Sequence, residues 1–89
     1  MSYYNRSIAL TQRALAITPG GAQTMSKQPG RFVRGAYPAY LREGAGAMVW
    51  DVDGNPYVDW ICGLGAIPLG HTHPQVTQAI RSQLLRGIS

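Results

Sequence analysis

The sequence is poor in acidic residues and cysteine and has no long apolar run, and each shortage excludes a class of protein. It contains only four aspartates and glutamates, and none precedes Glu43. The single cysteine, Cys62, cannot form an internal disulfide, which favours a reducing compartment such as the cytoplasm. No apolar stretch approaches the length that crosses a bilayer, so we expect no membrane-spanning segment.

The scarcity of acids makes the first half of the chain basic, and the formal net charge is +4. A basic segment can bind nucleic acid, an anionic membrane or an acidic substrate. Here the arginines are spread singly along the chain, and no aromatic-rich RNA-reading motif accompanies them. We therefore expect no nucleic-acid partner, and salt-sensitive retention of DNA or RNA would be the sign of one.

The beginning of the chain has the pattern of an amphipathic helix followed by a loop. Leu10, Ala14 and Ile17 recur at helical spacing, and the sequence Pro19-Gly20-Gly21 cannot prolong that helix. Residues 18–30 are rich in glycine, proline, threonine, serine and glutamine and contain little apolar surface. This composition predicts an irregular loop of the kind that carries side chains to a site.

Strand-favouring residues follow the loop. Residues 31–34 and 39–42 read as two short strands, and residues 49–52 and 57–60 as two more. The last two flank Asp53-Gly54-Asn55, residue types that tolerate the positive backbone angles of a tight turn, and they therefore predict a β-hairpin. No repeat, low-complexity tract or composition break divides the chain.

A glycine-spaced turn and a second helix end the chain. Gly63, Gly65 and Gly70 let the backbone pass close to a packed neighbour or a ligand. A helix is then predicted from Pro74, which suits a first helical position, to about Gly87, which suits a helix end. Val76, Ala79, Ile80 and Leu84 provide its apolar face.

Three motifs for bound ions or cofactors are incomplete in this sequence. The stretch beginning at Asp51 has its glycine fourth rather than sixth, and position twelve is Cys62, so a turn between strands is favoured over a calcium loop. His71 and His73 lack further ligands of the kind a metal site needs. The glycines do not match the dinucleotide fingerprint, because Pro68 stands three residues after Gly65. We expect no metal and no nicotinamide cofactor.

The order of these elements resembles a known family. The loop TPGGAQT, the hairpin WDVDGNPYVDW and the helix start LGHTHPQV resemble the amino-terminal part of class III pyridoxal-phosphate aminotransferases, especially the glutamate-1-semialdehyde aminomutase-like branch. The resemblance covers nearly the whole chain. It implies a parent of the α/β fold type I transferase class, in which residues 1–89 form an α+β segment: a helix, a small antiparallel sheet and a helix.

The resemblance also implies a function. The chain is expected to be the amino-terminal part of the small domain, leading toward a large cofactor domain that lies outside these 89 residues. The complete enzyme would move an amino group from a small-molecule donor to a carbonyl acceptor, or within one molecule, with pyridoxal 5'-phosphate as cofactor and as a homodimer. The segment alone is expected to be inactive. The alternative is a truncated, non-catalytic module with at most a binding role.

Site residues follow from the same resemblance. Thr24 matches a small hydroxyl residue of the substrate-facing loop, and Lys27 stands near the position where aminomutase-like members hold an arginine for the substrate carboxylate. Leu64 falls where many members carry an aromatic residue that lines the substrate pocket. An exposed loop lysine without a role is the alternative for Lys27. Lys27 in place of the arginine and Leu64 in place of the aromatic residue are departures from the aminomutase pattern. They leave open amino transfer to a substrate other than the semialdehyde.

The chain's only lysine must also be considered as the cofactor's covalent anchor. That role requires an amine held against the cofactor aldehyde. Lys27 lies early, in a polar loop, whereas the resemblance implies that the anchoring lysine lies far downstream, beyond Ser89. No catalytic residue is therefore predicted in this chain.

Overall fold

The computed structural model describes residues 4–33 and 35–88 as an α+β arrangement, as expected from the sequence. In sequence order, helices come first and last among these residues, and the strands of a small sheet come between them. In chain order the elements are helix α1 (Asn5–Ile17), three 3₁₀ turns (Pro19–Gly21, Met25–Lys27 and Pro29–Arg31), strands β1 (Leu41–Ala45), β2 (Met48–Asp51) and β3 (Pro56–Val58), and helices α2 (Cys62–Gly65) and α3 (Pro74–Leu84).

The contacts within the chain divide it into two compact units. The first contains the chain up to Glu43 together with Trp50–Pro56, and the second contains Gly44–Val49 together with the chain from Tyr57 onward. The loop that follows α1 belongs to the first unit, and the glycine-spaced turn and α3 belong to the second.

Helix α1 forms where the apolar spacing predicts it, and a distant carboxylate caps its first turn. The backbone N–H groups of Arg6 and Ser7 donate to the two carboxylate oxygens of Asp53, at 2.6 and 3.1 Å. An acid at this end satisfies amide groups that have no partner within the helix and complements the positive end of the helix dipole. The acid that caps α1 therefore comes from the turn of the hairpin, 46 residues away in sequence.

The predicted loop is irregular, but the strand predicted over residues 31–34 is wrong for residues 31–33; Arg34 lies outside the described residues. Pro29–Arg31 forms a 3₁₀ turn, and the ring of Phe32 then stacks on that of Tyr37, with centroids 4.0 Å apart and planes within 2°. A stack between residues five apart requires the backbone to curl back, which an extended strand does not do. The sheet accordingly has three described strands rather than four.

The sheet has the order β1-β2-β3, with short connections between neighbours. Such connections join antiparallel strands, because parallel neighbours need a long crossover. The hairpin predicted over residues 49–52 and 57–60 is confirmed with shifted bounds, since β2 is Met48–Asp51 and β3 ends at Val58. Strand β3 ends early because the next residue, Asp59, turns its carboxylate toward the backbone that follows.

The turn of the hairpin is organised around a fully buried carboxylate, that of Asp51, which has 0% of its surface exposed. One of its oxygens accepts the backbone N–H groups of Asp53 and Asn55, at 3.0 and 2.8 Å, and the other accepts the side-chain amide of Asn55 at 2.9 Å. Gly54 takes the positive φ of +87° that the turn requires. The Asp-Gly-Asn signal was therefore read correctly, whereas the role of Asp51 is visible only in the structure.

Helix α3 begins at Pro74, as predicted, and ends at Leu84. Gly87 follows with a φ of +106°, and its N–H donates to the carbonyl of Gln83 at 3.0 Å. A glycine with positive φ that closes a hydrogen bond onto the last turn is a common helix ending. The predicted helix end is thus confirmed with a shifted bound, because the last helical residue is Leu84 and Gly87 follows the closing turn.

Both long helices leave apolar side chains partly exposed, although Leu10 and Ala14 of the predicted face of α1 are half-buried. Val49 is the only buried large apolar side chain among the described residues. On α1, Ile8 and Leu15 are exposed, and on α3 the predicted apolar face is exposed as well, with Ile80 at 54%. Burial of such side chains is the main favourable contribution to folding, and here most of it is not realised within the described chain.

Candidate functional site

The predicted site residues Thr24 and Lys27 lie on one 3₁₀ turn of the first unit. The backbone N–H of Lys27 donates to the carbonyl of Thr24 at 3.0 Å, and Gln28 donates to Met25 at 3.3 Å. These backbone hydrogen bonds close the turn, and the side chains of Thr24 and Lys27 are exposed to solvent. The structure therefore brings these two residues together.

A shallow depression lies beside this turn, and its wall contains a cation other than the predicted one. It is lined by Thr24, Met25, Ser26, Arg31 and Phe32. Lys27 is not among the lining residues, whereas Arg31 is. Arg31 was missed because residues 31–34 were read as a strand; the Pro29-Gly30 pair before it was the available signal for a turn.

The exposure of Lys27 also decides whether this residue could anchor the cofactor covalently. The amine that anchors pyridoxal phosphate must be held against the cofactor aldehyde, shielded from water. Lys27 lies on an exposed polar turn, and it is the only lysine in the chain. The described residues thus do not fit the covalent site of this cofactor.

Leu64, the third predicted site residue, lies in the second unit, on the short helix α2. Its side chain is 64% exposed, and its backbone has a φ of +62° and a ψ of +37°, in the left-handed region. A large side chain in that region is uncommon and strained. The glycine spacing predicted a close backbone turn here but did not predict that leucine itself takes the left-handed conformation.

The carboxylate of Asp59 holds the entry to this turn. One oxygen accepts the backbone N–H groups of Ile61 and Cys62, at 3.0 and 3.1 Å. The other lies 2.7 Å from Nε2 of His71, and both side chains are largely buried. The hydrogen bond from His71, and then those from the backbone of Cys62 and Ile61, lower the pKa of Asp59 below its ordinary 3.8.

This Asp59–His71 pair was missed at the level of sequence. Asp59 was read as a strand residue, and His71 as a histidine of a loop or helix start. The two are twelve residues apart, and neither helical nor strand periodicity brings positions at that spacing together. Only the path of the chain through the glycine-spaced turn does so.

Acid should weaken the second unit through Asp59. A carboxylate whose pKa is lowered by folding contributes its full stabilisation above the pKa of the unfolded state and loses it as pH falls through the folded-state value. We expect the thermal midpoint of the protein to fall more steeply below about pH 4 than that of Asp59→Asn, whose amide does not titrate. Superimposable pH profiles for the two proteins would contradict this assignment.

Neither a metal centre nor a membrane-spanning helix is found in the part of the chain that the structure describes. Residues 4–33 and 35–88 contain no group of three histidine, cysteine, aspartate or glutamate side chains placed to hold a metal ion. In the same residues, no helix combines the length and apolar character needed to cross a bilayer.

The chain is similar to known proteins over most of its length. The family model for aminotransferase class-III matches residues 33–88. A glutamate-1-semialdehyde 2,1-aminomutase from Chloroflexus aggregans is 43% identical over 88 residues, which cover 97% of this chain and 19% of the relative. Another protein of that name, from Syntrophomonas wolfei, is also 43% identical, over 86 residues. The chain thus spans about a fifth of the length of these curated relatives.

Solved structures give the same result. A transaminase solved with PLP bound matches with a TM-score of 0.77 and 34% identity, over 94% of this chain and 19% of that one. An omega-transaminase from Sphaerobacter thermophilus matches with a TM-score of 0.73 and 30% identity, over 91% and 17% of the two chains. With a family model that matches well over half of its residues, and with transaminases as structural neighbours, this chain belongs to the class III aminotransferase family.

Proposed function

We propose that this chain is the amino-terminal part of a pyridoxal-phosphate-dependent aminotransferase or aminomutase, whose complete form transfers an amino group to or within a carbonyl substrate. The observation that carries the proposal is the match itself, which covers 97% of this chain but 19% of a curated relative. The proposed cofactor rests on family membership and on the PLP-bound transaminase among its structural neighbours.

The exposed apolar faces support a role within a larger protein. In the first unit Ile8 and Leu15 of α1 remain partly exposed, and in the second unit Val76, Ile80 and Leu84 of α3 do so as well. Exposed apolar surface of this kind usually marks a contact with further protein. In our proposal these faces pack on the downstream cofactor domain, which would also supply the anchoring lysine, since Lys27 does not fit that role.

In the same proposal the segment contributes substrate recognition. Thr24 and Lys27 would face the substrate from one loop and Leu64 from the glycine-spaced turn. The charge of Lys27 suits a carboxylate, although an ammonium provides a point charge rather than the two-pronged contact of arginine. A homodimer, a small-molecule amino donor and carbonyl acceptor, and a cytoplasmic location complete the proposal.

The test compares the complete polypeptide with the 89-residue chain. Both are purified and mixed with pyridoxal phosphate, and absorbance is compared with that of the free cofactor; amino transfer is then assayed over a panel of donors and carbonyl acceptors. We expect a shifted cofactor band and transfer for the complete polypeptide, and neither for the isolated chain. A complete polypeptide that neither binds the cofactor nor transfers an amino group would leave only a non-catalytic role and overturn the proposal.

A further inference from the structure

Four consecutive residues of the second unit have positive φ angles. They are Cys62 at +53°, Gly63 at +62°, Leu64 at +62° and Gly65 at +95°, and they make up the whole of α2. A run of this kind is a left-handed turn, which is disfavoured for every residue that carries a Cβ. Glycine tolerates the conformation, but Cys62 and Leu64 do not, so the left-handed turn Cys62–Gly65 is a strained segment.

The side chains of the strained residues do little to hold this conformation. Leu64 is mostly in solvent, and Cys62 is only half-buried, with its thiol donating weakly to the carbonyl of Asp59 at 3.8 Å. A strained conformation persists only when its surroundings determine it. The restraint therefore comes from hydrogen bonds: the backbone N–H groups of Leu64 and Ile67 donate to the carbonyls of Ile61 and Cys62, at 3.1 and 3.0 Å. The carboxylate of Asp59 adds bonds at the beginning of the turn.

Asp59 restrains the beginning of the turn and is itself fixed at two points. Its carboxylate accepts the N–H groups of Ile61 and Cys62, which aligns the backbone as it enters the turn. Its own N–H donates to the carbonyl of Ala47 at 2.8 Å, and its second oxygen bonds to His71. Asp59 thus ties the turn to the backbone of Ala47 through its own N–H and to the side chain of His71 through its carboxylate.

His71 is anchored independently of Asp59. Its backbone N–H and carbonyl pair with the carbonyl and N–H of Gly46, at 2.9 and 3.0 Å. Its ring lies against Gly44, where a Cβ would stand 2.6 Å from Cγ of the ring. The absence of a side chain at position 44 is what leaves room for the imidazole. The ring is therefore held from two directions before it contacts the carboxylate.

We propose that Asp59 and His71 are positioning residues that keep the turn Cys62–Gly65 left-handed and thereby fix where the side chain of Leu64 stands. Charge-assisted hydrogen bonds donated to a largely buried carboxylate are strong enough to offset backbone strain at two residues. That Leu64 then meets a substrate rests on the proposed function. The restraint of the turn by Asp59 and His71 does not.

The thiol of Cys62 provides the measurement, because it lies inside the turn and is half-buried. Its alkylation by iodoacetamide is followed in the complete polypeptide by mass spectrometry of the peptide that contains it. For each variant, the alkylation rate of Cys62 in the folded protein is divided by its rate in the same protein unfolded in urea, at one pH. This ratio is the relative alkylation rate. We expect this ratio to rise about tenfold in Asp59→Ala and by a smaller factor in His71→Gln, which leaves the backbone bonds of Asp59 in place.

A pair of substitutions at position 64 tests the strain separately. Leu64→Gly removes the Cβ that makes the left-handed backbone unfavourable, whereas Leu64→Ala removes the same large side chain and keeps the Cβ. We expect the relative alkylation rate of Cys62 to be roughly threefold lower in Leu64→Gly than in Leu64→Ala. Adding Asp59→Ala to Leu64→Gly should raise the rate less than it does in the wild-type background.

Asp53→Ala is the control for general loss of stability, because Asp53 also accepts two backbone N–H groups but belongs to the first unit. If Asp59→Ala and Asp59→Asn both keep native circular dichroism and the wild-type alkylation rate, the restraint is refuted. Should Asp59→Ala fail to fold, the other variants decide: a wild-type alkylation rate in His71→Gln together with equal rates in Leu64→Gly and Leu64→Ala refutes the restraint. If these variants change the alkylation rate of Cys62 but leave the substrate preference of the complete polypeptide unchanged, the restraint is supported. That outcome counts only against the proposed contact between Leu64 and the substrate.

Discussion

Replacing Asp51 by alanine is expected to lower the free energy of unfolding by about 3 kcal/mol, the largest loss of stability that we expect from a single substitution in this chain. The carboxylate is fully buried and accepts hydrogen bonds from the backbone of Asp53 and Asn55 and from the side chain of Asn55. Alanine would remove the acceptor shared by these partly buried donors, and a donor that loses its partner away from water is destabilising.

The loss at Asp51 should extend to helix α1. The backbone of Asp53 is held by Asp51, and the carboxylate of Asp53 in turn caps the first turn of α1 through Arg6 and Ser7. Removing Asp51 frees the hairpin turn and withdraws that cap from the helix. We therefore expect Asp51→Ala to reduce the helical circular dichroism signal as well as the midpoint of urea unfolding.

Two variants separate this explanation from a general intolerance of substitution. Asp51→Asn keeps the volume and one acceptor oxygen but points an amide at the amide of Asn55, so an intermediate loss is expected. Asp53→Ala removes the helix cap alone, for which about 1 kcal/mol is expected. If Asp51→Ala is no more destabilising than Asp53→Ala, the hydrogen bonds of the buried carboxylate are not what holds the turn.

Local patterns predicted the elements whose cause is local. The spacing of Leu10, Ala14 and Ile17 gave α1, and Pro74 and Gly87 gave the two ends of α3, because helix signals act within a few residues. The predicted strand that includes Phe32 failed because a ring stack with Tyr37 decides the local path there. Strand propensity depends on such packing partners, which the sequence does not display.

In the candidate site, too, local features were predicted from the sequence and long-range contacts were not. The loop that carries Thr24 and Lys27 was predicted from its composition, and the close turn at Leu64 from its glycines. The Asp59–His71 pair could not be predicted, since its members meet only after the chain has folded. Nor could the left-handed conformation of Cys62 and Leu64, because both residue types disfavour it and polar groups elsewhere impose it.

Replacing Lys27 by alanine in the complete enzyme is expected to raise KM for carboxylate-bearing substrates by about tenfold to a hundredfold and to change kcat little. The physical reason is that a carboxylate distant from the reacting carbon carries the same charge in the ground state and in the transition state. Loss of its cationic partner then weakens both states equally. Substrates without a carboxylate should be unaffected, and steady-state kinetics on matched substrate pairs measure the difference.

Three further variants, one at Lys27 and two at arginines, make this test specific to Lys27. Lys27→Arg retains the charge and should keep KM within a few-fold of wild type, since arginine adds a two-pronged contact to carboxylates. Arg13→Ala removes an exposed cation of α1 and controls for net charge. Arg31→Ala tests the cation that lines the depression with Thr24. A selective loss of carboxylate substrates in Arg31→Ala but not in Lys27→Ala would assign carboxylate recognition to Arg31 and refute the role proposed for Lys27.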